Sequence, residues 1–156
     1  MQGLRASATE INDLAAAIRA LGEELADENS AEAVLRVEVQ GTPRALHPIV
    51  RDEVFRIAGE ALRNAFRHAA AKQIEVELRY DVRQLRVRVR DDGKGIDPEV
   101  LRAEGPEGHF GLRGMRERAK LAGGKLTVWS GVDSGTEVEL SIPALRAYST
   151  ASRSRS

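Results

Sequence analysis

The feature that most constrains this chain is a change of hydrophobic period, from helical to alternating, between residues 48 and 89. Val50, Val54, Ile57, Ala58, Ala61, Leu62, Ala65 and Phe66 recur at spacings of three and four, the stripe of an amphipathic helix. His47-Pro48 opens it with a proline suited to the first turn, and the pattern predicts an end near Ala70. Next, Ile74, Val76, Leu78 and Tyr80 alternate with Glu75, Glu77 and Arg79. Beyond the short turn DVRQ, Leu85, Val87 and Val89 alternate with Arg86, Arg88 and Arg90. Period two on both sides of a tight connection predicts an antiparallel hairpin with one buried face. Pairing Tyr80 with Leu85 sets Glu77 opposite Arg88 and Glu75 opposite Arg90, both favourable cross-strand pairs. The arginines then read as the solvated face of a sheet, matched by acids, and not as a nucleic-acid patch.

The remaining elements follow from the same two periods. Ile11, Leu14, Ala15, Ile18, Leu21 and Leu25 predict a helix from about Ser7 to Glu28, and Val34 to Val39 a strand closed by the turn GTPR. Asp97-Pro98 starts a short helix reaching about Arg102, and AEGPEGHFG is a flexible loop by composition. Leu112 to Ala122 is helical and stops at Gly123-Gly124. Leu126 to Trp129 and Glu137 to Ile142 form a second hairpin around GVDSG. The tail beyond Pro143, ending STASRSRS, has no periodicity and is expected to be disordered. The chain thus divides into an N-terminal helix over 1–30, a domain over 31–143 and a tail over 144–156.

Composition removes several function classes. Lysine and arginine number 24, as do aspartate and glutamate, so net charge gives no reason to invoke nucleic acid or an anionic membrane. The absence of cysteine excludes disulfides, thiolate metal sites and a thiol nucleophile. Apolar runs fall far short of the ~20 residues a membrane span requires. The start MQGLRASATEI lacks the layout of a signal peptide, leaving a cytoplasmic location as the expectation, with any membrane anchor in a part not present here.

Four segments carry chemistry. In EALRNAFRHA, Glu60, Asn64, Arg67 and His68 share one helical face. The first two supply the hard oxygens Mg²⁺ prefers and the last two supply donors for phosphate; a solvated helix face is the competing reading. In DDGKG, Asp91 precedes Gly93 and Gly95, putting an acceptor at a strand end beside backbone that a flat ligand can approach. This is neither a dinucleotide fingerprint nor a Walker loop. In GHFGLRGM, glycines precede a helix whose first N–H groups, near Leu112, Arg113 and Gly114, make a ready anion site. Finally, Gly135-Thr136 places a hydroxyl at a strand start. Singly, each segment is weak.

In this order and spacing they resemble the ATPase family shared by gyrase, Hsp90, MutL and the histidine kinases: EALRNAFRHA its N box, DDGKG and GHFGLRGM its glycine boxes, SGTEVEL its closing segment. The resemblance runs from about Leu35 to Pro143 and is strongest to two-component sensor histidine kinases, in particular those with propeller sensors. It implies an α/β two-layer sandwich, a mixed, largely antiparallel sheet covered on one face by helices, of the Bergerat ATP-binding type. It implies ATP and Mg²⁺ as cofactors. Asp91 would accept from the adenine amino group with Thr136 helping through water, and Gly93, Gly95 and Ile96 would lie along the base. Asn64 would hold Mg²⁺, with Glu60 as second metal-side or catalytic residue. Arg67 and His68 would meet phosphate or ribose, and Gly111, Leu112, Arg113 and Gly114 would form a mobile lid.

Such kinases carry their acceptor histidine in an upstream helix, in a context such as Leu-His-Asp. None of His47, His68 and His109 stands in that context. The Ser7 to Glu28 helix resembles the tail of the dimerisation region beyond the acceptor. The implied partners are therefore a phosphoacceptor and dimerisation domain outside this chain and a response regulator, with a homodimeric full-length protein and a chain that alone can be monomeric. Neither nucleic acid nor direct membrane contact is expected. An anti-sigma-type serine kinase of the same fold, an ATP-driven clamp and a non-catalytic nucleotide-binding module remain open as alternatives.

Overall fold

A computed structural model describes residues 2–29, 32–68, 70–103 and 110–149, with side chains described from Leu14 onward except at Ala103. The elements are α1 (Gln2–Glu28), β1 (Val34–Gly41), α2 (Pro48–His68), β2 (Gln73–Tyr80), β3 (Gln84–Asp91), α3 (Pro98–Ala103), α4 (Leu112–Leu121), β4 (Lys125–Gly131), β5 (Gly135–Pro143) and α5 (Ala144–Ala147). The strands form one sheet in the order β1-β2-β3-β5-β4. β1 and β2 are parallel, with α2 as the crossover a parallel pair needs, and the other three pairings are antiparallel. This is the expected mixed, largely antiparallel sheet.

The period-two pattern sets which face is buried. Ile74, Val76 and Leu78 of β2, Leu85, Val87 and Val89 of β3, and Val138, Leu140 and Ile142 of β5 all enter one cluster. Val54, Ile57, Leu62 and Phe66 of α2 and Leu112, Met115 and Ala119 of α4 close it from the helical side. Burial of this apolar surface is the main stabilising term. The opposite sheet face is charged and paired as the alternation requires. Glu77 faces Arg88 and Glu75 faces Arg90 in the register set by Tyr80 and Leu85. Arg88 lies 3.5 Å from Glu77, and Arg86 lies 2.7 Å from Glu139 of β5.

The helix ends are fixed locally. α4 closes where the Gly123 N–H donates to the Lys120 carbonyl and the Gly124 N–H to that of Ala119, the two bonds of a Schellman stop. α1 starts earlier than its apolar stripe does, at Gln2. Its Leu14, Ile18 and Leu25 are buried in the same cluster as the sheet, so this helix is packed onto the sandwich.

One boundary moves. The tail expected from residue 144 is folded through Ser149, with α5 followed by a bridge between Leu46 and Tyr148. Tyr148 is buried; its hydroxyl donates to the Asp81 carbonyl at 2.6 Å and the Gln84 carbonyl at 3.0 Å. Its ring stacks on Tyr80, and the Arg44 guanidinium lies 4.1 Å from its centroid. Six residues with two buried side chains are too few to show a period, which is why the pattern stopped at Pro143. Residues 150–156 lie outside the described residues, as do 104–109, most of the expected lid loop, and with them His109.

Candidate nucleotide-binding site

The last two turns of α2, the end of β3, the glycine segment after it and the start of β5 converge on one pocket. Asn64, His68, Asp91 and Thr136 supply its polar groups, and Gly95 and Ile96 line it beside Asp91. Ala61, Val89, Phe110, Leu112 and Val138 make the apolar wall. An apolar slot with a few convergent polar groups is the form of a small-molecule site.

Asp91 ends β3 opposite Thr136 of β5. Its Oδ1 accepts the Gly93 N–H at 2.8 Å. Burial pushes its carboxyl above the ordinary carboxylate range, opposed in part by the backbone N–H groups of Gly93 and Thr136 and reinforced by the neighbouring Asp92 charge. The adjacent Asp92 does the opposite. It turns outward, accepts the Gln73 N–H at 2.9 Å and the Lys72 N–H at 2.8 Å, and those bonds hold it below the ordinary range. One aspartate thus faces the pocket while its neighbour ties the start of β2 to the end of β3.

Gly95 has φ 76°, and a Cβ there would stand 2.0 Å from the Gly131 carbonyl oxygen, so no larger residue fits. The segment thereby lies flat against the β4–β5 turn, and the Ile96 N–H donates to Ser130 Oγ at 2.7 Å. On α2, Asn64 Nδ2 donates to the Phe110 carbonyl at 2.6 Å. A carbonyl only accepts, so the nitrogen must face it and Oδ1 is turned away as an available acceptor. The His68 ring meets Phe110 edge-on, with centroids 5.0 Å apart.

Seven of the expected site residues therefore meet: Asn64, His68, Asp91, Gly95, Ile96, Leu112 and Thr136. The others stand outside the lining. Gly93 is buried and orients Asp91. Glu60 lies against Gly111 at the entry to α4, within 3.9 Å of Arg63. Arg67 is exposed, and Arg113 is exposed and paired with Glu117 at 3.5 Å. Gly114 has open space around it. Gly111 takes φ 66° as the N-cap of α4 and, as a glycine, supplies no side-chain cap to that helix. Ala61, Phe110 and Val138 lie inside the quoted motifs and Val89 just before one, but none of the four was singled out as a site residue. Val89 and Val138 were legible as core-facing strand positions, but only packing shows that the core opens there. Ser130 gave no signal beyond a hydroxyl near a turn.

A fold with a one-sided mixed sheet and this pocket between α2 and the ends of β3 and β5 defines a nucleotide-binding ATPase domain. The chain belongs to the histidine kinase-, DNA gyrase B- and HSP90-like ATPase family, whose profile matches residues 49–146. Among its relatives, the sensor histidine kinase LiaS of Bacillus subtilis is 37% identical over 120 residues, 77% of this chain and 32% of that protein. The sensor protein VraS of Staphylococcus haemolyticus is 30% identical over 151 residues, 92% of this chain and 41% of that protein. The solved histidine kinase domain of the Erythrobacter litoralis EL346 blue-light activated histidine kinase superposes with a TM-score of 0.63 at 29% identity, covering 83% of this chain and 60% of that one. The chain carries the ATPase domain that it shares with these sensor kinases, and spans less than half the length of the two sensor proteins.

Proposed function

We propose that this domain holds Mg-ATP in the pocket and delivers its γ-phosphate to a histidine on a phosphoacceptor and dimerisation domain outside this chain, for passage to a response regulator. The observation that supports this best is Asp91, a half-buried carboxylate set in an apolar slot beside Gly95 and Ile96. It suits the exocyclic amine of adenine. Asn64 Oδ1, freed by the bond from its Nδ2 to Phe110, and the Glu60 carboxylate one turn earlier are hard oxygens that fit Mg²⁺. When bound, the ion would neutralise charge on the phosphates. The N-terminus of α4 offers backbone donors to the same anion, with Gly111 as its cap and Arg113 and Gly114 in its first turn. Phosphoryl transfer needs positioning and charge neutralisation more than a protein nucleophile, and this donor set supplies both.

Among the described residues neither histidine is placed as an acceptor: His68 lines the pocket itself, in contact with Phe110, and His47 precedes α2 at its far end. No described helix is long and apolar enough to cross a membrane, and we place the domain on the cytoplasmic side of a full-length dimeric sensor that carries any anchor elsewhere. Incubation with γ-labelled ATP tests the reading. The chain alone is expected to bind ATP without forming acid-labile phosphohistidine, and a separate phosphoacceptor hairpin from the same kinase should become labelled in trans. An acid-stable label on a partner, or an acid-labile one on this chain alone, overturns it.

A further inference from the structure

Ser130 of β4 lies opposite Thr136 of β5 and touches three groups around the pocket's base edge. Its Oγ stands 2.7 Å from the Ile96 nitrogen, 3.1 Å from the Gly135 carbonyl oxygen and 2.8 Å from Thr136 Oγ1. A serine hydroxyl has one proton to give and two lone pairs to receive with. The Ile96 N–H can only donate, so it takes one lone pair. The Gly135 carbonyl can only accept, so satisfying it uses the single proton. The third contact then has one polarity left: Thr136 must donate to Ser130. That spends the only proton of Thr136 and leaves its oxygen facing the pocket as an acceptor.

We propose that Ser130 is a positioning residue that fixes the Thr136 hydroxyl as an acceptor, so that Asp91 and Thr136 together present two acceptors to the ligand's base edge. Two neighbouring acceptors match a group carrying two N–H bonds, an exocyclic amine, reached directly or through a water. A carbonyl at that position meets two acceptors and no donor. The same serine pins Ile96, so the glycine segment and the specificity edge are set by one hydroxyl. The inference rests on the ATP reading above and extends it to the source of base selectivity.

The test is calorimetric titration of the full 156-residue chain with ATP, N6-methyl-ATP and purine riboside triphosphate, which lacks the amine. Ser130→Ala is expected to weaken ATP by about threefold to tenfold, the scale of one neutral hydrogen bond, and to weaken purine riboside triphosphate distinctly less, through the loss of the Ile96 bond alone. Ser130→Thr, which keeps the hydroxyl, should restore the preference. Thr136→Val should show the same amine-dependent loss, and adding Ser130→Ala to it should cost little more, since one acts through the other. Thr136→Val also supplies the readout if Ser130→Ala does not fold. Equal weakening of all three nucleotides, or fully additive effects of the two substitutions, overturns the proposal. Failure of the unsubstituted chain to bind ATP overturns the nucleotide reading itself.

Discussion

Asp91 shows how a single residue can be set against the stability of its own fold. Its carboxyl is raised by burial, so the folded chain holds that proton more tightly than the unfolded chain does. The stabilisation this gives is complete below the ordinary carboxylate range and is lost as pH rises through the raised value; at neutral pH the ionised group is a cost. Asp91→Asn should therefore flatten the pH dependence of stability just above the ordinary carboxylate range and leave the nucleotide-free domain at least as stable at pH 7, measured by thermal melts across pH. The same variant should lower ATP affinity by about tenfold to a hundredfold, the scale of a charge-assisted hydrogen bond, and abolish the preference for ATP over GTP. Asn64 carries a second expectation. Its Nδ2 holds the Phe110 carbonyl, and an aspartate cannot donate that bond. Asn64→Asp should weaken Mg-ATP more than magnesium-free ADP in calorimetry, with helix content kept in circular dichroism because the two residues have similar helix propensity.

At the scale of elements, the entry to α4 governs how the lid side of the pocket is built. Gly111 takes φ 66° as the cap of that helix, and a Cβ there would come within 3.0 Å of Glu60 Cγ. An alanine bears the left-handed penalty and crowds the glutamate, together about 1–2 kcal/mol. Gly111→Ala should lower the melting temperature by about 2–8 °C and reduce Mg-ATP affinity, since both α4 and Glu60 must shift. A melting temperature equal to that of the unsubstituted chain would show that the cap relaxes without strain. α2 links this entry to the sheet. Its C-terminal turns place Asn64 and His68 at the pocket while the buried stripe from Val50 to Phe66 fixes the helix on the core.

Across the whole molecule, the two ends of β3 have different tasks. Asp91 ends the strand at the pocket, and Gln84 begins it about 23 Å away at ~3.3 Å per residue. At that far end the Tyr148 hydroxyl shares its one proton between the Asp81 and Gln84 carbonyls, joining the last described residues to the β2–β3 turn. Tyr148→Phe should take from the Asp81 carbonyl its 2.6 Å donor, while the Gln84 carbonyl keeps the Asp81 N–H at 3.0 Å, and cost about 1–3 kcal/mol of stability in denaturant unfolding. ATP affinity should stay unchanged, because the deleted bonds lie at the opposite end of the sheet. A variant that lost ATP binding while folded would show the two ends to be coupled.

Periodicity alone determined the elements and much of their pairing. Alternation from Ile74 to Val89 specified the hairpin and its register down to Glu77 against Arg88, because a slip of one residue would have turned the apolar set to solvent. The ordered motifs likewise marked Asn64, Asp91, Gly95, Ile96 and Thr136, since a close backbone approach and a strand-end carboxylate leave local traces. What the sequence could not determine is which elements distant along the chain face one another. Asp91 and Asp92 are the same residue type side by side, and only the pairing of β3 with β5 turns the first into the pocket and the second to the Lys72 and Gln73 amides. Gly93, Glu60, Arg67 and Arg113 belong to the same motifs yet stand off the pocket wall, because a motif fixes spacing along the chain and not direction in space. Ser130 and Tyr148 are the clearest cases. Their roles rest on partners 5 to 67 residues distant, and these contacts exist only once the sheet has closed and burial has made each unpaired polar group costly.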